Sequence, residues 1–157
     1  MTTIRAYRAG DAADMAVVYE RAVRAIGARD YSPEQVAAWI GDPAALAARL
    51  EARMADGRRC WVATDAMDRP KAFVDLEADG HIDFLYADPD VAGRGVTTTL
   101  LDRLEDAALR SGIARLYVEA SEAARRVFDR RGYATVRRRD FEVRGVAIHN
   151  YAMERRL

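Results

Sequence analysis

Ile82-Asp83-Phe84-Leu85-Tyr86-Ala87-Asp88-Pro89-Asp90-Val91-Ala92-Gly93-Arg94-Gly95-Val96-Thr97-Thr98 is the stretch whose reading decides the fold. Ile82–Tyr86 reads as a strand that runs into Pro89 and a glycine-rich loop. After the loop, Leu100, Leu101, Leu104, Ala107 and Ala108 form one helical stripe that ends near Gly112. A further strand, Arg115–Ala120, follows at once, so residues 82–120 read as a β-α-β unit with two parallel strands and a right-handed crossover. Glycines let the backbone approach a ligand closely, and a helix start offers free N–H groups at a positive dipole end, which together suit phosphate. Arg94 and the hydroxyls of Thr97 and Thr98 can add bonds to such an anion. Two glycines before a helix are often only a turn; their position between a parallel strand and an apolar helix favours the ligand reading. No Gly-Lys-Ser/Thr follows, which excludes a Walker A loop, and the third glycine of a Rossmann fingerprint is missing.

Upstream, Cys60–Thr64, Ala72–Leu76 and Ile82–Tyr86 are separated by short turns and predict an antiparallel meander. A strand within 3–8 opens the chain, and Met15, Val18, Tyr19, Ala22 and Ile26 mark a helix stopped by Gly27. Ser32-Pro33-Glu34-Gln35 is a capping box with proline at the first helical position, starting a helix that carries Val36, Trp39 and Ile40. Asp42-Pro43 repeats that signal ahead of Leu46, Leu50 and Met54. Downstream, a short helix from Ser121 to Arg131 closes at Gly132, and two strands, about 134–143 and 146–154, flank Arg144-Gly145. The order β-α-α-α-β-β-β-α-β-α-β-β describes an α/β chain with a central mixed, mostly antiparallel sheet.

The 157 residues match one domain spanning 1–157 at roughly 150 residues per domain. Half the residues are hydrophobic, which excludes a disordered chain, and 25 basic against 25 acidic residues remove any general attraction to nucleic acid or anionic membranes. Cys60 is the only cysteine, so there is no internal disulfide or multi-cysteine metal site, and a reducing, cytoplasmic setting is expected. No signal peptide or membrane span is expected, since no apolar run approaches about 18 residues.

With these elements in place, the chain resembles the GNAT superfamily of acyl-CoA-dependent N-acyltransferases over nearly its whole length. The family's pyrophosphate loop reads Arg/Gln-x-x-Gly-x-Gly/Ala after a strand with an apolar-x-Pro step. Leu85-Tyr86-Ala87-Asp88-Pro89 leads here into Ala92-Gly93-Arg94-Gly95-Val96-Thr97, with Ala92 in place of Arg/Gln and Thr97 in place of Gly/Ala. A second signature, a short helix ending in aromatic-x-x-x-Gly-aromatic, is Phe128-Asp129-Arg130-Arg131-Gly132-Tyr133. The resemblance implies acetyl-CoA as donor and no metal. It implies that the main chain of Leu85 to Ala87 holds the pantetheine arm, that residues 92 to 98 hold the pyrophosphate, and that the helix from Ser121, with Phe128, closes the cleft. Many relatives protonate the leaving thiolate with a tyrosine where this chain has Phe128.

For the proton of the incoming amine, His81 and Asp83 lie two apart on one strand beside Leu85, and Glu119 on the adjacent strand is a rival base. Each also has a purely structural reading as a solvent-facing or ion-paired side chain. Tyr31 and Trp39 are candidates for the acceptor pocket and equally for the core. Tyr133 and His149 read as structural, and the arginine runs at 125–126, 130–131 and 137–139 as a solvated face from which one side chain can reach a CoA phosphate. The expected function is acetyl transfer to a small-molecule or peptide amine by direct attack in a ternary complex. An acyl-CoA-binding module without efficient catalysis and a nucleotide-binding protein remain open. The exposed edges of the last two strands suit a homodimer.

Overall fold

The structure is a computed structural model and describes residues 2–157. Thr3–Ala6 (β1) pairs antiparallel with Arg59–Thr64 (β2), and β2 with Pro70–Leu76 (β3). Between β1 and β2 lie Ala12–Ala25 (α1), Pro33–Ile40 (α2) and Leu46–Met54 (α3). The capping box forms as read: Ser32 Oγ accepts from the Gln35 N–H at 3.1 Å, and Gln35 Oε1 accepts from the Ser32 N–H at 2.9 Å. Pro43–Ala45 makes a 3-10 turn capped by Asp42, so α3 begins three residues later than the Asp42-Pro43 signal predicts.

The strand expected over 82–86 does not run through. His81–Ile82 (β4) pairs parallel with Arg115–Ala120 (β6), whereas Leu85–Ala87 (β5) pairs antiparallel with β3; Asp83 and Phe84 belong to neither strand. The physical cause is Asp75 on β3. Its fully buried carboxylate accepts from the backbone N–H groups of Asp83 (2.9 Å) and Phe84 (2.6 Å), replacing ladder bonds by side-chain bonds. The chain therefore leaves one sheet and enters another without orphaning donors. One sheet has the order β1-β2-β3-β5; in the other, Ala134–Val143 (β7) and Val146–Arg156 (β8) complete the order β4-β6-β8-β7. Of the last two strands only β7 is a sheet edge. β8 lies between β6 and β7, which corrects the expectation of two exposed edges.

Side-chain alternation along β2 and β3 buries both faces of the first sheet. Val62 and Phe73 pack with Met15, Val18, Leu46 and Leu50 of α1 and α3. Ala63, Ala72 and Val74 pack with Leu100, Leu101 and Leu104 of Val96–Arg110 (α4), and Phe128 of Glu122–Arg130 (α5) joins that second core. Among the described residues no helix is long and apolar enough to cross a membrane.

Candidate active site

β5 and β6 are adjacent in the fold but belong to different sheets, so one edge of β5 is left without a strand partner. Phe84 O accepts from Asp75 N–H and Asp88 N–H donates to Lys71 O, so the main-chain groups of the even positions face β3. Those of Leu85 and Ala87 consequently point into the gap toward β6.

Two cavities meet there. The smaller, about 210 Å³, runs from Ala92, Gly93 and Thr97 past Leu85, Tyr86 and Ala87 to Ser121, Ala124 and Arg130. The larger, about 310 Å³, reaches from Leu85, Ser121 and Phe128 to Asp83, Glu119, His149 and the arginines Arg49 and Arg144. Tyr31, Trp39, Leu85, Tyr86, Ser121 and Ala124 line both, so the two form one continuous cleft through the split between the sheets.

At the first mouth, Gly93 and Gly95 have φ of +76° and +81°, the left-handed region that costs other residues about 1–2 kcal/mol, and a Cβ at either would meet only open space. The first helical bond of α4 runs from Thr99 N–H to Gly95 O at 3.1 Å, so the N–H groups before it are available to an anion. Arg94 and Thr98 are exposed at this mouth. The Val96 side chain is buried, so that residue can offer only its main chain. Buried Asp88 shapes the approach: its carbonyl accepts from Val91 and Ala92 N–H, its carboxylate accepts from Asp90 N–H, and Arg21 pairs with it at 3.1 Å.

Ser121 caps α5 by accepting from Ala124 N–H at 3.2 Å. Tyr31 OH donates to His149 O (2.9 Å) and accepts from Glu122 N–H (3.1 Å), tying the start of α2, the start of α5 and β8 together around the cleft. Burial pushes Tyr31 up to about 12, so it stays a phenol. Phe128 is fully buried against Tyr133 and has no hydroxyl; the Tyr133 hydroxyl bonds to Glu105, away from the cleft.

Glu119 and Asp83 both face the larger cavity. Glu119 Oε2 lies 2.6 Å from His81 Nε2, and His81 Nδ1 lies 2.8 Å from Glu77 Oε1. The bond to Glu119, opposed by burial and reinforced by Glu77, pushes His81 up to about 9 and holds Glu119 below the usual carboxylate range. At neutral pH His81 is therefore an imidazolium with no lone pair for a proton, which argues against its reading as a base. Asp83 Oδ2 lies 3.0 Å from Arg58 and 3.3 Å from Arg53.

The sequence reading missed Arg49 on α3, Arg144 in the turn between β7 and β8, and the cavity position of His149 on β8, all far along the chain from the glycine loop. It also missed Asp75 and Asp88. A lone aspartate in an apolar strand, as Asp75 is in Ala72–Leu76, was the available signal.

The Acetyltransferase (GNAT) domain family matches residues 27–155. The chain belongs to the GNAT acetyltransferase family. It is 32% identical over 150 residues to the uncharacterized N-acetyltransferase YafP of Escherichia coli, covering 96% of this chain and 93% of that one. A GCN5-related N-acetyltransferase from Rhodopseudomonas palustris, described as an aminotransferase, class II, superposes with a TM-score of 0.87 at 36% identity, over 100% of this chain and 96% of its own. The PaiA N-acetyltransferase of Thermoplasma acidophilum, solved in complex with coenzyme A, shares the fold with a TM-score of 0.73 at 17% identity, over 100% and 99% of the two chains. Like these GNAT proteins, the chain is an N-acetyltransferase.

Proposed function

We propose that the chain transfers the acetyl group of acetyl-CoA to a primary amine by direct attack in a ternary complex, with the donor along the smaller cavity and the amine in the larger. The observation that carries this is the meeting of the two cavities at the open edge of β5, where Leu85 N–H faces the gap. The smaller cavity fits the donor: two left-handed glycines with free space before a helix start suit a pyrophosphate, and the unpaired edge of β5 suits an amide-bearing arm. That the PaiA neighbour was solved in complex with coenzyme A supports coenzyme A as the carrier of the donor group. Acetyl-CoA supplies an activated acyl carbon as a thioester.

Leu85 N–H donates to the acyl oxygen as charge develops on it. Glu119 takes the proton that the amine gives up, directly or through one water, as nitrogen bonds to the acyl carbon and the carbon–sulfur bond breaks. His81 is a positioning residue that fixes Glu119 through Oε2 and leaves Oε1 free. Asp83 draws the cationic amine into the cavity, and Tyr31 and Trp39 wall it. Phe128 has no proton to give, so solvent protonates the departing sulfur, which an alkyl thiol with a pKa near 8.5, roughly, tolerates. The buried Cys60 on β2, its thiol pushed far up by burial, takes no covalent part.

A thermal-shift titration with acetyl-CoA, CoA, ATP and NAD tests the donor. Stabilisation of about 2.7 kcal/mol is expected at ~100 times Kd for the CoA species only. For the proton acceptor, Glu119→Gln should bind acetyl-CoA normally and lose about 100-fold or more in kcat. Unchanged turnover removes Glu119 from the role. Donor binding without turnover toward any amine leaves an acyl-CoA-binding module instead.

A further inference from the structure

Four charged side chains line the larger cavity, and their partners divide them into two kinds. The acids are answered: Glu119 by His81 at 2.6 Å, Asp83 by Arg58 at 3.0 Å and Arg53 at 3.3 Å. The bases are not. Arg144, in the turn between β7 and β8, donates from one guanidinium nitrogen to Ala38 O at 2.7 Å, and Arg49 of α3 donates to Ile40 O at 3.3 Å. Among the described residues neither forms an ion pair with a carboxylate. Each guanidinium carries five N–H donors and uses one of its nitrogens, so most of its donors remain free.

Both guanidiniums are also held in place. Ala38 and Ile40 lie in the last turn of α2, whose free carbonyls attract cations. Gly41, just past that helix with φ +70°, leaves the space that the Arg144 guanidinium occupies, and a Cβ there would collide with it. Their acceptors, Ala38 O and Ile40 O, lie two residues apart in that last turn, and both arginines line the same cavity, so they converge on one part of its wall. The aromatic rings of Tyr31, Trp39 and Phe141 line the same cavity.

Building on the acetyltransferase reading above, we propose that the acceptor is an amine that also bears a carboxylate on an apolar or aromatic body, with Arg49 and Arg144 as the residues that read the carboxylate. A cavity of about 310 Å³ lies at the small end of ligand pockets and suits one molecule of amino-acid size. The two guanidiniums without carboxylate partners select against polyamines, whose second cationic end would have to lie beside them. A planar guanidinium pair matches a carboxylate geometrically, and the ammonium at the other end of such a molecule then lies toward Glu119 and Asp83.

The test is a paired acceptor panel assayed by CoA release: phenylalanine against phenethylamine, leucine against isoamylamine, phenylalanine amide and spermidine. The wild-type protein should prefer the carboxylated member of each pair by ~10-fold or more in kcat/KM, the size expected for a hydrogen bond to a charged group. Arg49→Gln and Arg144→Gln, which keep a donor for the α2 carbonyls, should raise KM for the amino acid by ~10-fold each with little change in kcat. They should leave phenethylamine and the KM for acetyl-CoA unchanged. Equal rates for both members of each pair, equal losses on both in the variants, or no acetylation of any panel member by protein that binds acetyl-CoA overturns the proposal. Failure to bind acetyl-CoA, seen separately by the thermal titration, overturns the acetyltransferase reading itself and this assignment with it.

Discussion

Replacing Asp75 tests the claim that a single buried carboxylate holds the sheets apart. Asp75→Ala removes the acceptor for the N–H groups of Asp83 and Phe84 and a 2.6 Å bond from Arg58, all at a position with no solvent exposure. Arg58 is itself nearly buried but keeps Asp56 at 2.7 Å and Asp83 at 3.0 Å, so its charge is not orphaned. The cost then falls mainly on two unsatisfied donors and one lost charge-assisted bond, together about 3–5 kcal/mol. Burial pushes Asp75 up to about 6, so its charge is largely offset by lost hydration. Asp75→Asn keeps Oδ1 for both N–H groups but turns an amide donor toward Arg58 and loses that charge-assisted bond, about 2 kcal/mol. Urea denaturation of the two variants and the wild type reads these values directly, and Tm should fall by about 10 °C for the alanine variant. In Asp75→Ala protein that remains folded, kcat should fall several-fold, because Leu85 follows the released pair at once. A loss below about 1 kcal/mol in Asp75→Ala, or equal losses in the two variants, would refute the anchoring role.

The His81 pair makes stability depend on pH. Its pKa is raised from an unfolded value near ~6.5 to about 9, so the added stability is full below the unfolded value and is lost as pH rises through about 9. With partial solvent screening that amounts to about 2 kcal/mol, and urea midpoints measured between pH 6 and 10 should show it in the wild type and lack it in His81→Gln; identical slopes in the two proteins would sink the assignment. Cys60 is buried with a strongly raised pKa, so native protein should react with thiol reagents only through unfolding, and Cys60→Ser should retain acetyl transfer. Gly95→Ala should cost about 1 kcal/mol in the fold and at least ~10-fold in acetyl-CoA affinity, read by denaturation and by titration, because the added Cβ points into the open space at the loop proposed to hold the phosphates.

The parts legible in the sequence were those governed by neighbours along the chain. Ser32, Pro33 and Gln35 announced α2 because capping is a three-residue event, and Gly93 and Gly95 announced the loop because positive φ is a property of single residues. The stripe of Leu100, Leu101 and Leu104 gave α4, and the β-α-β unit followed from it. The strand at 82–86 was misread because alternation continues through Asp83 and Phe84, and what interrupts it is a carboxylate on a different strand.

The residue types and their local order thus determined the element sequence, the glycine loop before α4 and the set of candidate groups His81, Asp83 and Glu119. Tertiary structure alone set the surroundings of each. His81 becomes a cation because Glu119, 38 positions away, lies 2.6 Å from it. Arg49 and Arg144 reach one cavity because the last turn of α2 gives both a carbonyl to hold. Charge state and convergence depend on distances through space between residues remote in sequence, and only the packed sheets and helices fix those distances.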